Sequence, residues 1–218
     1  CARSAIVAAL VVLSSSLATA QFQAEPGGGR VVGPDGTAAH STTAKIDAWR
    51  SIAVPGSRAQ VATWSEIAAA GTSEYYAISL DGQQVDLLTA TSYDLLFRRG
   101  AFDPLNDAPS FDGSPLPSGG EVYIVQYVTQ PLIEYSDAIT ALGGRVYDYI
   151  TNHAHLVRLS IETRAAVGSL PFVRWIGEYH PEFRVEPEML AALRAGSLAT
   201  ARYNVQVFER GAAQQELV

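Results

Sequence analysis

Between Glu121 and Tyr179 the apolar residues switch their repeat from two to about 3.6 and back again, twice, and few folds accommodate that alternation. Val122 to Val128 is β-branched and aromatic, which reads as a strand. Thr129-Gln130-Pro131 then opens a helix in which Leu132, Tyr135, Ile139 and Leu142 fall on one face, and Gly143-Gly144 supplies the left-handed residue that ends it. Arg145 to Ile150 and Ala154 to Leu159 are two more strand segments, joined through Thr151-Asn152-His153. Ser160 is placed as the N-cap of a second, short helix with Thr163, Ala166, Val167 and Leu170 on its apolar side, and Pro171 stops it. Phe172 to Ile176 closes the series as a strand, with Trp175 expected in the core beside Val157 and Val173.

This order, βαββαβ over residues 121–182, predicts an α+β unit: a ferredoxin-like antiparallel sheet with both helices on one face. The other face is left for a partner. On it, alternation along a strand groups Tyr147 and Tyr149 with Arg158 and Arg174, residue types favoured at interface centres, and these four are the candidate protein-binding residues.

The flanks are less patterned. Residues 1–20 pair Arg3 with the apolar stretch Ala5 to Leu13 and end in Ala18-Thr19-Ala20, the pattern of a secretory signal peptide cleaved after Ala20. Residues 21–45 are rich in Gly and Pro and read as a flexible leader. Residues 46–120 read as an irregular region with a β-hairpin (Glu74 to Leu80, turn at Asp81-Gly82, Gln84 to Leu88) and a linker from Phe102 to Gly120. Residues 183–201 form a helical connector, with its helix at Pro187 to Ala195. Tyr203 to Phe208 repeats the pattern of Val122 to Tyr127, so residues 202–218 read as the first strand of a truncated second copy.

Charge and cysteine usage narrow the partners. The formal net charge is −7 with no run of Lys or Arg, which argues against nucleic acid and anionic lipid. The single cysteine, Cys1, lies inside the expected signal peptide, so the exported chain is expected to lack disulfides, as in a bacterial protein secreted or held in the periplasm, with no membrane attachment after cleavage. Asp35, His40 and Ser73 follow the order Asp, His, Ser, and Gly71-Thr72-Ser73 echoes a nucleophile motif. Their surroundings do not: Glu74-Tyr75-Tyr76 continues as a strand where a helix should begin, and His40 lacks a following glycine. No catalytic residue is assigned. His153 and His155 flank Ala154 in the manner of a ligand pair but have no third ligand nearby, and His180 before Pro181 belongs to an extended exit segment, so no metal or cofactor is expected.

Several segments in combination carry a resemblance. Tyr123-Ile124-Val125-Gln126-Tyr127, Ala141-Leu142-Gly143-Gly144-Arg145-Val146, Asn152-His153-Ala154-His155-Leu156-Val157-Arg158-Leu159 and Leu170-Pro171-Phe172-Val173-Arg174-Trp175-Ile176-Gly177-Glu178-Tyr179-His180-Pro181, with Phe102-Asp103-Pro104-Leu105 upstream, resemble the N-terminal region of large secreted bacterial subtilisin-family serine peptidases. In that family such a module is similar to the subtilisin propeptide, an intramolecular chaperone and inhibitor, and the catalytic domain lies further along the chain. The resemblance implies a non-catalytic N-terminal region whose partner is the downstream catalytic domain of the same polypeptide. Two other readings stay open: a secreted ferredoxin-like binding module with no protease attached, and an enzyme fragment whose triad lies beyond Val218.

Overall fold

The computed structural model describes residues 21–25, 29–110 and 122–205. The expected signal peptide, residues 1–20, lies outside them. In chain order the elements are β1 (Gln23–Ala24), β2 (Arg30–Val32), β3 (Ala38–Ser41), β4 (Lys45–Ala53), β5 (Gln60–Ala68), β6 (Gly71–Ser79), β7 (Leu87–Thr91), β8 (Leu95–Phe97), β9 (Gly100–Phe102), β10 (Val122–Tyr127), α1 (Ile133–Ala141), β11 (Arg145–Ile150), β12 (Ala154–Arg158), α2 (Ile161–Gly168), β13 (Val173–Glu178) and α3 (Pro187–Arg194). The described residues are thus mixed α+β, with antiparallel sheets and three helices.

Residues 122–178 follow the predicted element order, and their strands lie in one antiparallel sheet in the order β11-β12-β10-β13. Helix α1 packs against β11 and α2 against β13. Tyr135 and Ile139 of α1 and Val167 of α2 are buried, whereas Leu142 stays 40% exposed. Gly143 takes φ +91°, a backbone conformation that a side chain disfavours, and this ends α1. Ser160 caps α2: its hydroxyl accepts from the Thr163 amide at 3.2 Å. Ser160→Ala should therefore cost about 1 kcal/mol of stability, read as a shift of the urea midpoint at unchanged slope.

The region before this unit is more ordered than its composition suggests. Residues 23–41, expected as a flexible leader, carry the three-stranded sheet β1-β2-β3. Phe22 and Val31 are buried from it against Ala62, Trp64 and Ala77 of the next sheet. That next sheet, β4-β5-β6-β7, replaces most of the expected irregular region; the hairpin expected there is β6–β7, one part of a longer meander. The central strand β5 has neighbours over both of its faces, and every residue from Gln60 to Glu66 is buried. One face receives Phe22 and Val31. The other joins Val61, Tyr76 and Ile78 to Tyr127, Tyr135 and Phe172 of the βαββαβ unit, in a core that includes the parallel Tyr135–Phe172 stack at 4.0 Å.

The face of the β11-β12-β10-β13 sheet opposite the helices is not open. Leu95, Phe97 and Phe102 from the β8–β9 hairpin and Phe183 from a 3₁₀ turn, Pro181–Phe183, close over Ile124, Ala154, Leu156 and Trp175. Phe97 and Phe183 stack at 4.2 Å, and Phe102 stacks on both. Trp175 belongs to this second layer, whereas Val157 and Val173 lie in the core on the helix side. The segment after β13 turns back over its own sheet instead of running out extended. Helix α3 matches the expected connector helix to within a residue, while Tyr203 to Val205 carry no regular element and the rest of the expected second copy lies outside the described residues.

Candidate functional site

The four candidate binding residues do not form one open strip. Strand β11 pairs Val146 with Val157 and Tyr149 with His155, so three steps on β11 answer two on β12 and one residue bulges. A bulge breaks the alternation of side chains. Tyr147, beside the helix-side Val146, keeps the helix-free face in the layer of Leu156 and Trp175, while the bulge turns Tyr149 to the other side, edge-on to His155 at 6.0 Å. His155 is paired with Val125 and accompanies Tyr127, whose ring it meets edge-on at 5.6 Å, on the helix side. Arg158, opposite Val122 at the end of β12, is exposed.

Arg174 is the most heavily engaged of the four. Strand β13 pairs Val173 with Tyr127 and Trp175 with Gln126, leaving Arg174 as the extra residue of a second bulge. Its guanidinium makes two parallel bonds to Asp103, Nη1 to Oδ1 at 2.6 Å and Nη2 to Oδ2 at 2.8 Å, and a third from Nη1 to Gln126 Oε1 at 2.8 Å. It also lies 4.1 Å from the centre of the Tyr93 ring, a cation–π distance. Burial pushes the Asp103 carboxyl up, but the Arg174 bonds, the Leu105 amide and the Arg174 charge outweigh it and hold the pKa below the ordinary value. Both side chains are 14% exposed. Arg174 thus ties β13 to the chain just after β9, and its donors point inward.

The Asp, His and Ser of the catalytic echo are scattered. Asp35 accepts from Thr37 in an exposed turn. His40 Nε2 lies 2.6 Å from Glu66 Oε1, and the same carboxylate accepts from Trp64 Nε1 at 3.1 Å and Thr42 Oγ1 at 2.8 Å. Burial pushes the Glu66 pKa up, yet these three bonds and the His40 charge bring it below the usual carboxylate range. The pair fastens β3 onto β5. Ser73 is exposed on β6, where it is paired across the sheet with Glu66. A Ser73→Ala variant should match the wild type in every hydrolase assay, and a fluorophosphonate probe should leave Ser73 unmodified.

His153 and His155 do not act as a pair either. His153 precedes β12, with φ +62°, and its Nε2 lies 2.5 Å from Thr91 Oγ1. Edge-on contacts with Tyr76 at 5.3 Å and Tyr93 at 5.9 Å surround it. Burial alone lowers its pKa to about 4, and it lowers that of His155 as well. Among the described residues no group of three His, Cys, Asp or Glu is placed to hold a metal ion. His180 Nδ1 accepts from the Glu182 amide at 3.2 Å within the returning turn, and the buried Glu182 carboxylate binds both Arg99 and Arg194. No helix among the described residues is long and apolar enough to cross a membrane.

Sequence reasoning missed the aromatic residues that cover the sheet. Leu95, Phe97 and Phe102 are separated from it by the Pro- and Gly-rich stretch after Asp103, and that stretch reads as a boundary. The comparison with protein families draws a different boundary. A family model described as a domain of unknown function (DUF8729) matches residues 96–180, less than half of the chain, beginning within β8 and ending just after β13. No curated protein and no solved structure matches the chain. The matched stretch therefore takes in the βαββαβ unit together with the hairpin that covers it.

Proposed function

We propose that this chain is the non-catalytic N-terminal region of a secreted bacterial subtilisin-like serine endopeptidase, in which residues 122–178 are a ferredoxin-like, propeptide-like unit that chaperones or docks on the downstream catalytic domain. The observation that carries this reading is that the four segments bearing the family resemblance fall on the elements of one βαββαβ sheet, ordered β11-β12-β10-β13. A module that binds the native protease in preference to its unfolded chain stabilises it by mass action, and it speeds folding only if it also binds the transition state. Inhibition by an exit strand lying in the substrate cleft is the weaker half of the proposal, because the residues after β13 fold back over their own sheet.

A specific observation also supports the second reading, a secreted ferredoxin-like binding module with no protease. The helix-free face, the surface expected to meet a catalytic domain, is filled by the chain's own Leu95, Phe97, Phe102 and Phe183. The coding sequence that follows Val218 tests the choice. The proposal expects Asp-Ser/Thr-Gly, His-Gly-Thr and Gly-Thr-Ser motifs there, and refolding of that domain should gain active yield when this chain is added in trans. A continuation without those motifs, or a refolding yield indifferent to the added chain, overturns it in favour of the binding module.

A further inference from the structure

The β4-β5-β6-β7 sheet meets the βαββαβ unit along only part of its face. Where Val61, Tyr76 and Ile78 stand, the contact is apolar and closed. Further along the same strands a cleft of about 640 Å³ opens between the sheet and the Asp103–Asp107 turn. One wall carries Arg50, Thr63, Thr72, Glu74 and Thr91; the other carries Tyr93 and the Arg174–Asp103 pair.

Two polar groups that line this cleft have no hydrogen-bond partner of their own among the described residues. Thr63 is 8% exposed, lies between Arg50 and Tyr76 on the cleft-facing side of its sheet, and makes no side-chain hydrogen bond among the described residues. Glu74 is half-buried and makes neither a hydrogen bond nor an ion pair among them. Burial pushes the Glu74 pKa up, and the Arg174 charge only partly opposes this. A partly buried carboxylate without a hydrogen-bonded partner costs stability unless a ligand or water supplies one, and the Thr63 hydroxyl opens into the same cleft. The surroundings indicate the sign of that ligand. Four carboxylates (Glu74, Asp94, Asp103 and Asp107) face two guanidinium groups, and Arg174 is already matched to Asp103. Acceptors therefore exceed donors, and the cleft favours a cation rich in N–H groups.

We propose that this cleft binds an arginine side chain presented by a polypeptide, with Glu74 as its carboxylate partner and the Thr63 hydroxyl as an acceptor beside it. The guanidinium suits the site better than an ammonium, since its planar donors reach a carboxylate and a hydroxyl together. The cleft's breadth leaves room for the peptide backbone at the rim. This assignment does not depend on the protease reading, because it concerns a different face of the chain.

The test is an NMR titration of the full isotope-labelled chain with acetyl-Ala-Arg-Ala-amide, with the citrulline analogue, and with methylguanidinium. The arginine peptide should shift the Thr63, Glu74, Thr91 and Asp107 signals saturably and lower the Glu74 pKa. The citrulline peptide, isosteric but neutral, should bind about tenfold more weakly or worse, and Glu74→Gln should weaken the arginine peptide to the same extent. Asp107→Asn, in the exposed turn, should weaken it less while leaving the fold intact, which keeps the test open if the Glu74 variant unfolds. No saturable shifts, or shifts indifferent to citrulline and to both variants, would overturn the proposal. Methylguanidinium binding as tightly as the peptide would overturn its polypeptide part and make the free cation the ligand.

Discussion

Arg174→Ala is expected to destabilise the protein by about 3 kcal/mol, because it leaves the Asp103 carboxylate, 14% exposed, without the two bonds and the charge that offset its burial. The same change strips Gln126 Oε1 of its guanidinium donor and uncovers the Tyr93 ring. Equilibrium unfolding in urea measures the loss directly. A double-mutant cycle with Asp103→Asn separates the pair from the rest: the second substitution should cost much less in the Arg174→Ala background than in the wild type. An Arg174→Ala protein as stable as the wild type would show that the guanidinium is available to a partner, as its place in the sequence suggested.

The second large effect is a dependence on acid. His153 is 8% exposed and its pKa is lowered to about 4, from an ordinary value of 6.5, by burial. The unfolded chain thus takes up a proton at a pH where the folded chain does not, so stability is complete above pH 6.5 and falls as the pH drops through that value towards 4. A shift of this size corresponds to about 3 kcal/mol. His155 adds a smaller loss of the same sign. The groups packed around His153 are the Thr91 hydroxyl and the Tyr76 and Tyr93 phenols, whose pKa values burial raises further from this range. The lowered carboxylates Glu66 and Asp103 lose their stabilisation only at more acid pH. Urea midpoints followed from pH 7 to pH 4 should fall steeply for the wild type. His153→Gln should remove most of the slope whatever its own cost at pH 7, and a slope unchanged in that variant would refute the assignment.

The contrast between these two residues shows what the sequence carries and what it does not. The βαββαβ order was legible because each segment holds a clean repeat and carries its own punctuation, Gly143 for α1 and Ser160 with Pro171 for α2. Which side each residue faces was less legible. A single extra residue at Tyr147–Asp148 and another at Arg174 reverse the alternation that places side chains, and no local signal marks either bulge. Strand β4 hides for a similar reason: Ala48, with φ +50°, lies in a bulge between Asp47 and Arg50, so Ile46 and Ile52 fall out of phase. Strand β5 shows no alternation at all, because both of its faces are covered. The Gly-rich leader read as unstructured because its strands are short, and their order comes from Phe22 and Val31 reaching a sheet far along the chain. The cleft beside Glu74 could not be read at all, since its walls come from β4 to β7, the Asp103 turn and β13, and only the fold brings them together.

The hairpin that covers the helix-free face bears on the order of events at the ribosome. Leu95, Phe97 and Phe102 are made before any strand of the sheet they will cover. At ordinary elongation rates the last of those strands emerges roughly 4 to 15 seconds later. Hairpin formation takes microseconds, so throughout that interval a short aromatic ribbon waits without its substrate surface. The four-stranded meander, complete by Thr91, contributes no residue to the apolar layer in which the hairpin ends up. The interval gives a nascent-chain binder a defined opportunity, and it closes when Trp175 packs beneath the hairpin and Phe183 stacks on its rings.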